Sequence, residues 1–183
     1  MLRTFLTFLL ILTIISLTAA SHAVYSQQDD EAARIKTRTQ LAQLLEKVGP
    51  EIKVAFSQSE KQPFNYVGSL KTGLTYADSF EIVISVTPKA TIGFRIYPHY
   101  KGKYVNIDKA KNRANLMRLL LRLSDRAFLF WGADDSGDVF TGYTFTLESG
   151  FPEAAIRVVL RSIANSDKFV GEMRRFLDDN PTP

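Results

Sequence analysis

The sequence predicts an α+β fold: an antiparallel sheet of about five strands with helices packed on it, in the order α-β-β-β-α-β-β-α. Three patterns carry the prediction. Apolar residues alternate through Phe80, Ile82, Ile84 and Val86 and again through Ile92, Phe94 and Ile96, as half-buried strands require. Leucines recur at helical spacing, first at Leu41, Leu44 and Leu45 and later at Leu116, Leu119, Leu120 and Leu123. The turn-forming run Asp134-Asp135-Ser136-Gly137-Asp138 separates two segments rich in aromatic and β-branched residues.

The elements follow in order. Residues 31–48 form an amphipathic helix whose inner stripe is Leu41, Leu44, Leu45 and Val48, with Gly49-Pro50 as its stop. Ile52 to Phe56 reads as a first strand, 57–63 as a polar loop and 64–70 as a second strand. In the third, Phe80, Ile82, Ile84 and Val86 face one way and Glu81, Ser85 and Thr87 the other, with Val83 the exception. Pro88-Lys89-Ala90 turns the chain, and Ile92, Phe94 and Ile96 then alternate with Thr91, Gly93, Arg95 and Tyr97, which completes an antiparallel hairpin.

Asp108 is the expected N-cap of a central helix reaching Leu123, in which Met117 and Leu121 widen the leucine stripe into a substantially buried face. Lys111, Arg118 and Arg122 fall together on the remaining, solvated stripe. Segments 127–133 and 139–147 form a second hairpin about the turn at 134–138. Pro152 and Glu153 suit the first turn of a last helix, with Ala155, Val159 and Ile163 inward. Asn165-Ser166-Asp167 interrupts it, with Ser166 capping a second segment that buries Phe169, Met173, Phe176 and Leu177. A frayed tail closes the chain, disordered over 179–183.

The first 23 residues read as a secretory signal: Arg3 supplies a positive charge, Phe5 to Leu17 is an apolar run, and Ser21-His22-Ala23 ends it. Cleavage after Ala23 leaves a flexible leader at 24–30 and one domain at 31–178. The rival reading is an uncleaved membrane anchor, although the run is shorter than the roughly 20 apolar residues a spanning helix needs. The chain has no cysteine, which excludes disulfides and a lipid-modified N-terminal cysteine. Export without disulfides fits the bacterial envelope, most directly the periplasm.

The overall charge of +4 falls to +3 without Arg3, too small to imply a nucleic-acid partner. Its distribution is uneven. Arg95, Lys101, Lys103, Lys109, Lys111, Arg113, Arg118, Arg122 and Arg126 stand against Asp108 and Asp125, giving the segment 95–126 a charge of +7 and the rest of the mature chain −4. If these residues share a face, the molecule is polarised.

From Asn115 to Leu177, the run Leu-Met-Arg-Leu-Leu-Leu-Arg-Leu, a strand, then Asp-Ser-Gly-Asp-Val, then Tyr-Thr-Phe-Thr-Leu and a long closing helix resembles the YbjN family. That family is labelled a bacterial sensory transduction regulator and shares its fold with type III secretion chaperones. Its members typically carry asparagines near the central helix, for which Asn112 and Asn115 are the only candidates in this sequence. The resemblance implies a chaperone-like fold and a binding or regulatory module, often dimeric, with no catalytic residues to carry over.

Catalytic chemistry is scarce in the residues themselves. With His22 lost, His99 stands alone, so a Cys/His dyad and a histidine-rich metal site are excluded, and a Ser-His-Asp triad would have to use His99. Because Tyr97-Pro98-His99-Tyr100 reads as a loop, His99 is expected to be an exposed surface residue. Asp134, Asp135 and Asp138 lack the closing glutamate of a calcium loop and read as a hairpin turn. No cofactor motif is present, and no glycine-rich phosphate loop.

The candidate binding residues are Tyr97, His99, Tyr100, Lys101, Lys103 and Tyr104, which interleave aromatic and basic groups suited to stacking on sugars and pairing with anions, together with Arg118 and Arg122. The leading expectation is an exported, non-enzymatic module that binds a protein, a peptide or another copy of itself. The alternatives are a binder of anionic envelope components through the segment 95–126, and a hydrolase using Asp134, Asp135, Asp138 or Glu148.

Overall fold

The computed structural model describes residues 30–88 and 91–178. The expected signal peptide and leader up to residue 29, the Lys89-Ala90 part of the hairpin turn and the tail at 179–183 lie outside the described residues. In chain order the elements are α1 (30–51), β1 (Ser57–Gln58), β2 (Asn65–Leu70), β3 (Ser79–Val86), β4 (Thr91–Tyr100) and β5 (Lys103–Tyr104). There follow α2 (Arg113–Arg126), β6 (Phe130–Ala133), β7 (Val139–Thr146), α3 (Glu153–Ser162), a 3₁₀ turn (Ile163–Ser166) and α4 (Asp167–Leu177). The fold is α+β, with a seven-stranded antiparallel sheet ordered β1-β2-β3-β4-β7-β6 and β5 paired to the end of β4.

Strand alternation decides which face the helices cover. Phe80, Ile82, Ile84 and Val86 of β3 and Ile92, Phe94 and Ile96 of β4 are at most 1% exposed. They pack with Leu41, Leu44, Leu45 and Val48 of α1 and with Ile156, Val159, Leu160 and Ile163 of the α3 region. Each such side chain stabilises the fold by about 1.5–3 kcal/mol through burial alone. Ile96 pairs with Thr141, and Thr141 with Trp131, so Trp131 projects from the same face. Trp131 joins Leu116, Leu119, Leu120 and Leu123 of α2 and Met173 of α4 in a second cluster. All four helices therefore cover one side of the sheet.

Several expected boundaries shift, each for a local reason. The helix α1 runs through Gly49-Pro50, because Lys53 in the left-handed region (φ 58°) closes it. The Lys53 and Val54 amides donate to the Pro50 and Gly49 carbonyls, which completes a Schellman cap. Ile52 to Phe56 is consequently not a strand; the edge is the two-residue β1 instead. Strand β4 extends through Pro98, which had marked a loop. Past its last pair with β7 the Pro98 carbonyl accepts from the Val105 amide, and no ladder there needs the missing N–H.

Asp108 does not cap the central helix. Asn106 Oδ1 accepts from the Asp108 and Lys109 amides and holds that stretch in a turn, so α2 starts later, capped by the Asn112 side chain on the Asn115 amide. Met117 and Leu121 lie off the leucine stripe and are 49% and 73% exposed, so the helix buries a narrower face than expected. In α3 the inward residue is Ile156, while Ala155 is exposed. Ser166 makes no capping hydrogen bond, because the chain enters α4 directly from the 3₁₀ turn.

Asp167 takes the structural role at this junction. It is 6% exposed, and its carboxylate accepts from the backbone amides of Thr75 (2.6 Å), Tyr76 (3.1 Å) and Ala77 (2.7 Å). The first turn of α4 thereby fastens the β2–β3 connection, and the absent side chain at Gly171 lets the Tyr76 ring lie against the helix. Asp167→Ala should cost about 1–3 kcal/mol, since it leaves the buried Ala77 amide and the part-buried Thr75 and Tyr76 amides without their acceptor, and should accelerate amide exchange at residues 75–77. A change of urea midpoint equivalent to less than about 0.5 kcal/mol would contradict this role.

Candidate binding face

The sheet face opposite the helices carries a continuous aromatic row. Strand register builds it: Phe130, Gly142, Arg95, Val83 and Val67 form one cross-strand line on that face. Phe140, two residues before Gly142, and Tyr97 and Glu81, two residues along from Arg95 and Val83, fall on the next line, and the paired His99 and Tyr104 on the one after. Ring centroids run Phe130–Phe140 at 5.8 Å, Phe140–Tyr97 at 5.8 Å, Tyr97–Tyr104 at 5.8 Å and Tyr104–His99 at 4.3 Å. Among the described residues no helix packs over this row.

Neighbouring residues hold the row in place. A side chain at Gly142 would collide with the Phe94 carbonyl and come within 3.0 Å of the Phe130 ring, so glycine lets that ring lie close over the strand. The Arg95 guanidinium lies 5.0 Å from the Phe140 ring centre, and Tyr104 donates to Glu81 Oε2 at 2.8 Å. Phe140 is buried by its neighbours, whereas Phe130 and Tyr104, at the two ends, are 42% and 38% exposed. Successive rings meet edge-on or tilted, at 85°, 50°, 73° and 58°, so they form a corrugated apolar strip rather than a flat platform.

Both phenols in the row resist ionisation. Burial pushes the Tyr97 phenol up, with Asp134 adding to the effect and Arg95 opposing it. Burial and then the hydrogen bond to Glu81 push Tyr104 from about 10 to about 12.

The residues expected to bind divide among three places. Tyr97, His99 and Tyr104 belong to the row, on strands rather than in a loop. His99 is half-buried, with Nε2 shielded from solvent and without a hydrogen-bond partner, instead of standing free on the surface. Tyr100, Lys101 and Lys103 lie at the tip of the β4–β5 hairpin, where Tyr100 and Lys101 reach Asp178 after α4. Arg118 and Arg122 are exposed on α2, on the helix side of the sheet.

The cations of 95–126 do not share a face: Arg95 is on the open side, while Arg126 pairs with Glu172 and Arg113 with Asp108 on the helix side. The acidic turn is knitted internally. Asp134 Oδ1 accepts from the Ser136 and Asp138 amides, Asp138 accepts from Asn106 Nδ2, and Gly137 takes the positive φ (77°). The groove between α1 and residues 53–56, about 570 Å³, is lined by Leu45, Val54, Phe56 and Tyr66, with Glu46 and Lys53 as its charged groups. Among the described residues no cluster of three metal-ligating side chains occurs, and no helix is long and apolar enough to cross a membrane.

Phe130, Phe140, Arg95 and Glu81 complete the face and were missed. In β7 aromatics occupy both parities, Phe140 outward and Tyr143 and Phe145 inward, so alternation did not reveal which side was open. The available signal was a mid-strand arginine together with the strand glycines Gly132 and Gly142, which mark close approach.

Because folding raises the Tyr104 pKa, the stability it contributes is present below about pH 10 and is lost as pH climbs through about 12. In an ultraviolet titration Tyr104→Phe should remove a late-ionising component near pH 12, and Glu81→Gln should move it earlier. A titration curve of unchanged shape in Tyr104→Phe would contradict the assignment.

No family model and no curated protein matches the sequence.

Proposed function

We propose that the chain is a non-enzymatic binding or regulatory module, exported to the bacterial periplasm, that recognises a protein or peptide segment on its open sheet face. The observation that carries this reading is the aromatic row left uncovered by the helices and exposed at Phe130 and Tyr104. An uncovered apolar strip on a soluble surface marks an interaction site. Its edge-on rings favour the apolar side chains of a polypeptide, which fill notches, over a sugar ring, which wants a flat aromatic face. The exposed Arg95 guanidinium selects for an acidic residue beside the apolar anchor.

The reading as a binding module agrees with the YbjN-like order of elements. It is supported too by how the acidic groups are used: Asp134 and Asp138 are occupied by turn and asparagine donors. A hydrolase would need such carboxylates free and facing each other in a pocket.

A photo-crosslinking amino acid at Phe130, with irradiation in cells, should capture a discrete polypeptide partner, and Arg95→Glu should reduce that capture at least about fivefold. The same probe at the exposed Lys36 of α1 should not capture it. Absence of any polypeptide crosslink from Phe130, or saturable turnover by the purified chain, would defeat the proposal.

A further inference from the structure

A second site, which shares Tyr104 with the end of the aromatic row, lies where the β4–β5 hairpin meets the end of α4. It is a cavity of about 280 Å³ lined by Tyr100, Lys101, Lys103, Lys109, Leu177 and Asp178, among others. That volume falls just below the range for drug-sized ligands, about 300–1,000 Å³, and suits a smaller group.

An anionic group already occupies one side of it. The Asp178 carboxylate accepts from Lys101 Nζ at 2.6 Å and from the Tyr100 hydroxyl at 2.8 Å, and the Tyr100 oxygen accepts from Arg174 Nε at 3.2 Å. The Lys101 hydrogen bond, then that of Tyr100, holds the Asp178 carboxyl below its usual range. Lys103 and Lys109 line the same cavity and have no carboxylate partner among the described residues. Three lysines and one carboxylate thus line the cavity, a surplus of +2.

The backbone is bent to bring this about. Lys101 (φ 53°) and Gly102 (φ 70°) make the two-residue turn between β4 and β5, a place where asparagine or aspartate is the easier first residue. Asp78 fixes that turn by accepting from the Gly102 amide at 2.7 Å. A lysine held in the left-handed region at such a turn keeps its ammonium beside Tyr100.

We infer that this cavity binds a phosphate group, with Asp178 as an internal placeholder for it. A doubly charged phosphate answers the three lysines better than the single Asp178 carboxylate it displaces, which reaches only Lys101 and Tyr100. Its several oxygens can take Lys101, Lys103, Lys109 and the Tyr100 hydroxyl together. Asp178 directly follows the last residue of α4, so its carboxylate can swing out as the phosphate enters. Phosphate and Asp178 compete, and removing the Asp178 charge opens the site.

The test is an amide-resonance titration of the full chain with inorganic phosphate at about pH 8, where it is a dianion, sodium chloride holding the ionic strength constant. Saturable shifts at residues 101–105 and 109 are expected. Asp178→Asn should tighten apparent affinity about fivefold, and Lys103→Gln with Lys109→Gln should weaken it about tenfold. The control is Asp125→Asn, exposed on α2 about 18 Å along the helix from its start, which should change affinity less than about 1.5-fold. A gain in Asp178→Asn cannot arise from misfolding.

A vesicle arm separates the sources of the phosphate. Sedimentation with phosphatidylcholine vesicles containing phosphatidylglycerol, lost in the double lysine variant, supports a lipid headgroup. Saturable phosphate binding without vesicle binding supports a soluble phosphate ester. Shifts that grow linearly without saturation, or equal responses in Asp178→Asn and Asp125→Asn, would overturn the proposal.

Discussion

Period-two alternation in β3 and β4 is the constraint on which the remaining structure depends. By sending Phe80, Ile82, Ile84 and Val86, with Ile92, Phe94 and Ile96, to one side, it creates a single surface dry enough to hold α1 and α3. Register carries that choice across the sheet through Thr141 to Trp131, and so to α2 and α4. A slip of one residue in β4 would send Arg95 and Tyr97 into the core and expose Phe94 and Ile96, which is why the register is so strongly specified. The proposed polypeptide site follows from the side that remains.

The two proposed sites differ in physical character because they occupy different parts of the same strand. The body of β4 presents Arg95 and Tyr97 to a shared apolar row, where contact area and ring packing dominate. Beyond Pro98 the strand leaves β7 behind, and its tip turns toward the end of α4, where charge dominates. The residue that read as a break in the strand, Pro98, marks the point where β4 changes its neighbour from β7 to β5; His99 and Tyr104 continue the row past it, and only the turn beyond belongs to the charged site.

Much of this architecture was legible in the sequence. The α+β class, the β3–β4 hairpin and the leucine stripe of α2 follow from apolar periodicity, which burial enforces directly, and the strands on either side of the acidic turn from their aromatic and β-branched content. Some of what failed was local, as at the Lys53 cap of α1, and the rest depended on hydrogen bonds between residues distant in the chain. Asn106 reaches across to Ser136 and Asp138, and by tying down the Asp108 amide it delays the start of α2. Asp167 reaches back to residues 75–77, which no local pattern announces.

The candidate site was half legible. Tyr97, His99 and Tyr104 were picked out by composition, although as a loop, while Phe130 and Phe140 come close to them only through the β4–β7 pairing. Arg118 and Arg122 were grouped with them by charge alone, and the sheet puts them on the other side. Charge summed along a sequence says little about charge summed over a surface when strands alternate.

Hydroxyl-radical footprinting of the free chain reads side-chain exposure on the sheet face itself. Phe130 and Tyr104 should oxidise rapidly while Phe94 and Phe80 stay protected. Protection of Phe130 and Tyr104 to the level of Phe94 would contradict the open aromatic row, since the face opposite the helices would then already be covered.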